Sequence, residues 1–201
     1  MICNILFSTN KKLILASASP RRKEMLAKLG LDFEVQAAEV DEIPLYGESP
    51  EEFVQRAAAE KASEVSRSQP DAWVLGADTI VVHEGAILGK PMDTSDALGT
   101  LMRLSGQMHT VLTGFCLKRE QENISVSRVI GTEVYFSAFT EAIATAYVGT
   151  GEPLDKAGAY GIQGSGGCLV EKINGSYSNV VGLPLAKTID ELLRYEIIQP
   201  R

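Results

Sequence analysis

The run Trp73-Val74-Leu75-Gly76-Ala77-Asp78-Thr79-Ile80-Val81-Val82 organises the rest of the chain. Apart from Asp78 and Thr79 it has the apolar, β-branched composition of a strand buried on both faces, and Gly76 lets another group approach the backbone closely. A carboxylate in the middle of such a strand is costly, because an unpaired charge is strongly disfavoured away from water. Asp78 is therefore expected to be held by a cation or a metal, to be protonated, or to stand where the strand opens into a cleft. An Asp that merely caps the end of the strand fits less well, since Ile80-Val81-Val82 prolongs the apolar run beyond it.

Upstream, Leu13-Ile14-Leu15-Ala16 reads as a second strand running into Ser17-Ala18-Ser19-Pro20-Arg21-Arg22. Ser19 suits a helix N-cap and Pro20 the first helical position, with Met25, Leu26 and Leu29 as the buried stripe and Gly30 as the stop. Two arginines in a first turn oppose the helix dipole, so Arg21 and Arg22 read as cations for an anion, a phosphate or carboxylate, beside Ser17. A short strand at 33–36 precedes Glu39-Val40-Asp41-Glu42. In an extended segment Asp41 and Glu42 face opposite ways, so only one or two of these acids could share a site with Asp78. Ser49, Pro50 and Glu52 form a capping box for a helix that buries Phe53, Val54, Ala57, Ala58, Ala62 and Val65. Lys61 lies beside that stripe and could reach inward, although an isolated helical lysine is usually solvated.

Downstream, His83-Glu84-Gly85 reads as a turn, with His83 on the surface, returning through Ala86-Ile87-Leu88 to Gly89-Lys90-Pro91. The flanking glycine and proline fix the backbone around Lys90, a cation a short hairpin away from Asp78. Asp93 caps a helix with Leu98, Leu101 and Met102 inward, ending at Ser105-Gly106. Residues 108–117 and 124–136 read as an antiparallel strand pair, and Thr140 caps a short helix through Tyr147. The loop 151–167 is rich in glycine and carries an Asp155-Lys156 charge pair and Gln163, the profile of a binding loop whose backbone wraps a ligand. A strand at 168–173, a turn at Asn174-Gly175 and an amphipathic helix over 183–195 with Leu185, Ile189, Leu192 and Leu193 inward complete the chain.

Composition limits the function classes. With 201 residues, 45% hydrophobic and 22% charged, the sequence is that of a soluble globular protein with one substantial core or two close lobes. The balance of 19 basic against 26 acidic residues gives −7, which argues against a nucleic-acid polymer as partner. The apolar N-terminal residues are followed by Lys11-Lys12, the reverse of a secretory signal, and no run is long enough to span a membrane. Cys3, Cys116 and Cys168 form neither a disulfide framework nor a paired metal motif, which points to a reducing cytoplasm; Cys116 and Cys168 are expected in the core.

Together these motifs resemble the Maf proteins. The resemblance is carried by Ser17-Ala18-Ser19-Pro20-Arg21-Arg22, Gly76-Ala77-Asp78-Thr79, Gly89-Lys90-Pro91, Ser105-Gly106 with His109 and Thr113-Gly114, Asp155-Lys156-Ala157-Gly158, and Gly175-Ser176-Tyr177 with Val181-Gly182-Leu183-Pro184. It covers 13–195 with the motifs in order, and implies a single domain over 13–201 behind an N-terminal extension of residues 1–12. The fold it implies is α/β: a mixed β-sheet flanked by helices, two lobes around a central cleft, similar to inosine triphosphatase.

The activity implied is that of a nucleoside triphosphate pyrophosphatase, using magnesium or manganese, in house-cleaning of nucleotide pools. Such a reaction needs cations for the triphosphate, a divalent metal bridging its oxygens, and a carboxylate to orient or deprotonate water. Ser17, Arg21, Arg22, Lys61 and Lys90 would meet the phosphates; Glu42 and Asp78 would hold metal and water, with Asp78 in the family's proton-acceptor position. Arg22, Thr79 and Gln163 stand where the dTTP/UTP type carries its specificity residues, which implies dTTP, UTP and modified pyrimidine nucleotides as substrates. A Gln amide matches a uracil or thymine edge but also suits other bases. The other function class is a nucleotide-binding regulator of cell division with incidental hydrolysis. The expected partner is the small-molecule nucleotide, with neither nucleic-acid polymer nor membrane, and a homodimer is left open.

Overall fold

The structure, a computed structural model, describes residues 6–201; Cys3 lies outside them. Its elements in chain order are β1 Phe7–Thr9, β2 Leu13–Ala16, α1 Pro20–Lys28, β3 Glu34–Val35, α2 Pro50–Ser68, β4 Trp73–His83, β5 Ala86–Leu88, α3 Thr94–Leu104, β6 Met108–Arg119, β7 Ile124–Phe136, α4 Glu141–Val148, β8 Val170–Asn174, α5 Tyr177–Val181, α6 Leu185–Arg194 and β9 Ile198–Pro200. A seven-stranded mixed sheet has the order β3-β2-β4-β6-β7-β8, with β5 paired to β4, and helices flank it. β2 is parallel to both β3 and β4, whereas β4–β5 and β7–β8 are antiparallel. The organising strand is therefore β4, buried from Trp73 to Asp78 as its composition requires. Among the described residues no helix is long and apolar enough to cross a membrane.

The chain forms two compact units, one of residues up to Asp78 with Thr113–Val129 and Gly182–Arg201, the other of Thr79–Leu112 and Ile130–Val181. In the first, α2 opens with the expected capping box: Ser49 Oγ accepts the Glu52 N–H at 3.2 Å, and the Ser49 N–H donates to Glu52 Oε2 at 2.9 Å. Its alanine face lies so close to the sheet that a Cβ on Gly76 would collide with the Ala58 carbonyl and come within 2.7 Å of the Ala62 nitrogen. A Cβ on Gly114 would likewise collide with the Val54 carbonyl. Two glycines on neighbouring strands thus set the depth of α2, and with it the position of Lys61. Ile14, Ala16, Ala58, Ala62, Val65, Ala72, Val74 and Cys116 form one core cluster there. β1 and β9 pair antiparallel, Phe7 opposite Pro200 and Thr9 opposite Ile198.

In the second unit Val81, Leu101, Leu104, Val134, Phe136, Tyr147 and Tyr160 are part of a separate core cluster. His109 lies in it, 1% exposed, with Phe136 and Tyr160 rings edge-on at 4.8 and 5.2 Å. His109 Nε2 is 2.8 Å from Tyr160 Oη, and among the described residues its Nδ1 has no hydrogen-bond partner.

Several sequence expectations need correction. Cys168 is exposed, because residues 165–169 form a 3₁₀ turn and the strand starts only at Val170. Met102 is partly exposed; α3 turns Ala97, Thr100, Leu101 and Leu104 inward instead. Ser19 occupies the cap of α1 without a side-chain cap bond. The loop 151–167 is not open but contains three 3₁₀ turns, and α5, β1 and β9 are elements that the sequence patterns did not announce.

Candidate active site

In the first unit the structure gathers Ser17, Arg22, Glu42, Lys61 and Asp78. The close seat of α2 on Gly76 explains the centre of this group: Lys61 stands one residue before Ala62, and Asp78 two residues after Gly76, so helix and strand deliver a cation to a carboxylate. Lys61 Nζ lies 2.7 Å from Asp78 Oδ1 and 2.6 Å from Glu42 Oε1. Lys61 is 7% exposed and Asp78 5%, so of the two readings open to Lys61 it takes the inward one rather than the solvated one: its partner, 17 residues away, draws it in. Of the outcomes open to Asp78, the one found is an ion pair with Lys61.

Glu42 is the acid of its cluster that reaches the site, and its neighbour is tied down. Arg56 Nη2 donates to the Ile43 carbonyl at 3.0 Å, while Nε and Nη2 grip both Glu48 carboxylate oxygens at 2.7 and 2.8 Å. The bidentate grip holds the Glu48 carboxyl well below its usual range, to about 2, and raises the Arg56 guanidinium above its ordinary value.

Arg22 is 8% exposed. Its Nε donates to the Gly182 carbonyl at 2.7 Å and Nη1 to Ser17 Oγ at 3.0 Å, while Ser17 Oγ also accepts the Ser19 N–H at 3.2 Å. Burial pushes the guanidinium below its ordinary value; attraction to Asp78 and Glu42 opposes that shift and repulsion from Arg21 adds to it. Arg22 therefore orders the turn between β2 and α1 as well as placing positive charge beside the carboxylates. The Gly182 carbonyl was missed by the sequence reading, since an acceptor on the backbone leaves no mark on residue type. Arg21 is half-buried.

The second unit holds the other candidates. Thr79 is half-buried on β4, and Lys90 and Gln163 are exposed. The Gly158 N–H donates to the Gly89 carbonyl at 3.1 Å, which ties the glycine-rich segment to the Gly89-Lys90-Pro91 turn.

Among the described residues no three His, Cys, Asp or Glu side chains converge as a metal nest. Two carboxylates do converge, on one lysine. Magnesium and manganese are held by hard oxygen ligands, commonly one or two carboxylates with phosphate oxygens and water completing the shell, so Glu42 and Asp78 fit the protein's share of such a site.

Residues 12–195 match the family described as Maf-like protein. A dTTP/UTP pyrophosphatase of Desulfotalea psychrophila is 55% identical over 193 residues, covering 96% of this chain and 99% of that one. One from Anaeromyxobacter dehalogenans is 53% identical over 185 residues, 91% and 93% of the two chains, and one from Geobacter metallireducens 46% over 183 residues, 91% and 95%. Among solved structures, the Staphylococcus aureus Ham1 protein superposes on 63% of this chain and 72% of its own at 13% identity, with a TM-score of 0.45. The family match takes in residues 12–195, and the relatives cover 91–96% of this chain and 93–99% of their own: this chain belongs to the Maf-like protein family.

Proposed function

We propose that this protein hydrolyses nucleoside triphosphates, dTTP and UTP foremost, to the monophosphate and pyrophosphate. Water adds to the α-phosphorus, the bond from that phosphorus to the bridging oxygen breaks, and pyrophosphate leaves with the electron pair. The observation that carries the reading is the Lys61 ammonium held between Asp78 and Glu42 beside a buried Arg22. The relatives named dTTP/UTP pyrophosphatase support the substrate class. A protein that only bound a polyanion would gain nothing from two carboxylates at that place, whereas hydrolysis needs a proton acceptor for the attacking water.

In this reading Asp78 takes the proton of the water, its Oδ1 anchored by Lys61 so that the carboxylate keeps one orientation. Lys61, Arg21, Arg22 and Ser17 meet phosphate oxygens, and Lys90 is a further phosphate cation. Thr79, Gln163 and Arg22 select the base. A divalent magnesium or manganese ion held by Glu42 and Asp78 would supply neutralisation of phosphate charge.

The test is pyrophosphate release from a panel of dTTP, UTP, CTP and purine triphosphates with magnesium, for the native protein and for Asp78→Asn. Pyrophosphate should be the product, with dTTP and UTP the best substrates, and turnover by the folded variant should fall by about 10²–10⁴-fold. Near-native turnover by folded Asp78→Asn, or release of orthophosphate alone, would overturn the reading.

A further inference from the structure

The glycine-rich segment that the sequence offers as a wrapper for ligand wraps the protein's own side chains. Glu152, half-buried, accepts the Ser165 N–H on Oε2 at 2.9 Å and the Gly166 N–H on Oε1 at 3.3 Å. Oε1 also accepts the Tyr147 hydroxyl at 2.9 Å, and that hydroxyl oxygen accepts the Gly161 N–H at 3.0 Å. The glycines answer to this arrangement. A Cβ on Gly164 would fall on the Glu152 carboxylate and one on Gly166 on the Tyr147 hydroxyl, while one on Gly161 would meet the Lys156 side chain, 2.7 Å from its Cε, before Glu152 Oε1 at 3.2 Å.

Between these anchors the Gly164 N–H donates to the Gly161 carbonyl at 3.3 Å, closing a turn with Gln163 near its tip. Gln163 is thus an exposed side chain on a turn clamped on both sides, Gly161 by Tyr147 and Ser165 by Glu152. An exposed amide on a free glycine loop would sample many orientations and lose that freedom on binding; a clamped turn has lost it already. Burial alone would raise the Glu152 carboxyl, but the Ser165 N–H, the Tyr147 hydroxyl and the Gly166 N–H, with attraction from Lys156, hold it below its usual range.

We propose that Glu152, acting with the Tyr147 hydroxyl, is a positioning residue for base selection, a latch that presents Gln163 in one orientation. The proposal rests on the reading of Gln163 as a base-selecting residue. Its action is on selectivity and not on chemistry, because the clamp touches only the backbone around Gln163.

The experiment compares kcat/KM for dTTP and for GTP in the native protein, Glu152→Gln, Gln163→Ala and the double variant. Glu152→Gln keeps the size but sets an amide NH₂ against backbone N–H donors. It should lower the dTTP-to-GTP ratio about tenfold while leaving its own kcat/KM for GTP near native, and Gln163→Ala should lower the ratio by as much. The double variant should lose no more selectivity than Gln163→Ala alone, since one residue works through the other. A uniform loss for both nucleotides, or selectivity losses that add in the double variant, would overturn the latch. If the native protein prefers dTTP and Gln163→Ala abolishes that preference while Glu152→Gln keeps it, the latch falls alone; a native protein without the preference removes the functional reading and the latch with it. Should Glu152→Gln not fold, Tyr147→Phe carries the same test by removing the hydroxyl that takes the Gly161 N–H.

Discussion

At the scale of the residue, magnitudes separate contacts that matter from those that do not. Lys61 makes two ion pairs of similar length, but the Glu42 side chain is 49% exposed and that of Asp78 only 7%. The outer pair is worth at most about 1 kcal/mol, whereas removing the cation from a buried carboxylate costs about 3–5 kcal/mol. Lys61→Met is therefore expected to lower the melting temperature by an amount Glu42→Gln does not approach, and equal small effects on thermal unfolding would refute the asymmetry. His109 gives the protein a pH dependence of known sign. Burial, with repulsion from His83 adding, pushes it down to about 4 from 6.5. The unfolded chain thus takes up its proton near pH 6.5 and the folded chain only near pH 4, so the stability His109 contributes is full above the first value and drains away as pH falls toward the second. That difference corresponds to about 3 kcal/mol. Urea unfolding of His109→Gln should show a shallower acid slope across this window, and an unchanged slope would place the acid sensitivity elsewhere. Both residues mark what composition alone conveys: Asp78 announced that a buried charge needed a partner, but the partner's identity lay in a helix whose depth no local pattern encodes.

At the scale of the element, α2 shows why that depth is fixed. Gly76 carries no Cβ because the Ala58 carbonyl and the Ala62 nitrogen occupy its place. Gly76→Ala must lift the helix that carries Lys61, at about 1–3 kcal/mol. Gly99, inside α3, has open space where its Cβ would stand, so Gly99→Ala should instead stabilise by about 0.5–1 kcal/mol. Opposite signs for two identical substitutions, read by thermal unfolding, are the expectation; destabilisation by both would show that helix depth is not what Gly76 controls. The capping box of α2 and the apolar run of β4 were readable because their signals are local and repeat over many residues. α5 has 5 residues and β9 has 3, too short for a period to register, and β9 exists through a partner at the far end of the chain. The conformation of the segment 151–167 was illegible for a different reason. Glycine signals that room is needed without saying for what, and here the room is for Glu152 and Tyr147.

At the scale of the whole molecule, the elements follow a simple division: helix depth and the charge cluster belong to the unit that holds β2, α2 and β4 up to Asp78, the clamped turn to the unit that holds α3, α4 and β8. Individual strands and helices were readable from apolar runs and cap residues, and the mixed sheet flanked by helices was what the resemblance to the Maf proteins implied, whereas the strand order depends on pairings distant in sequence. The pairing of β1 with β9 reaches furthest along the chain. The Arg201 N–H donates to the Leu6 carbonyl at 3.1 Å, so the first described residue and the last are neighbours across a backbone hydrogen bond. Strand pairing thus brings the two ends of the described residues together, so the order in which the elements are joined can be changed here without breaking a strand pair. A circular permutant that joins Arg201 to Leu6 by a short glycine-serine linker, and opens instead in the exposed turn between Glu122 and Asn123, should fold to the same core and unfold in one cooperative transition.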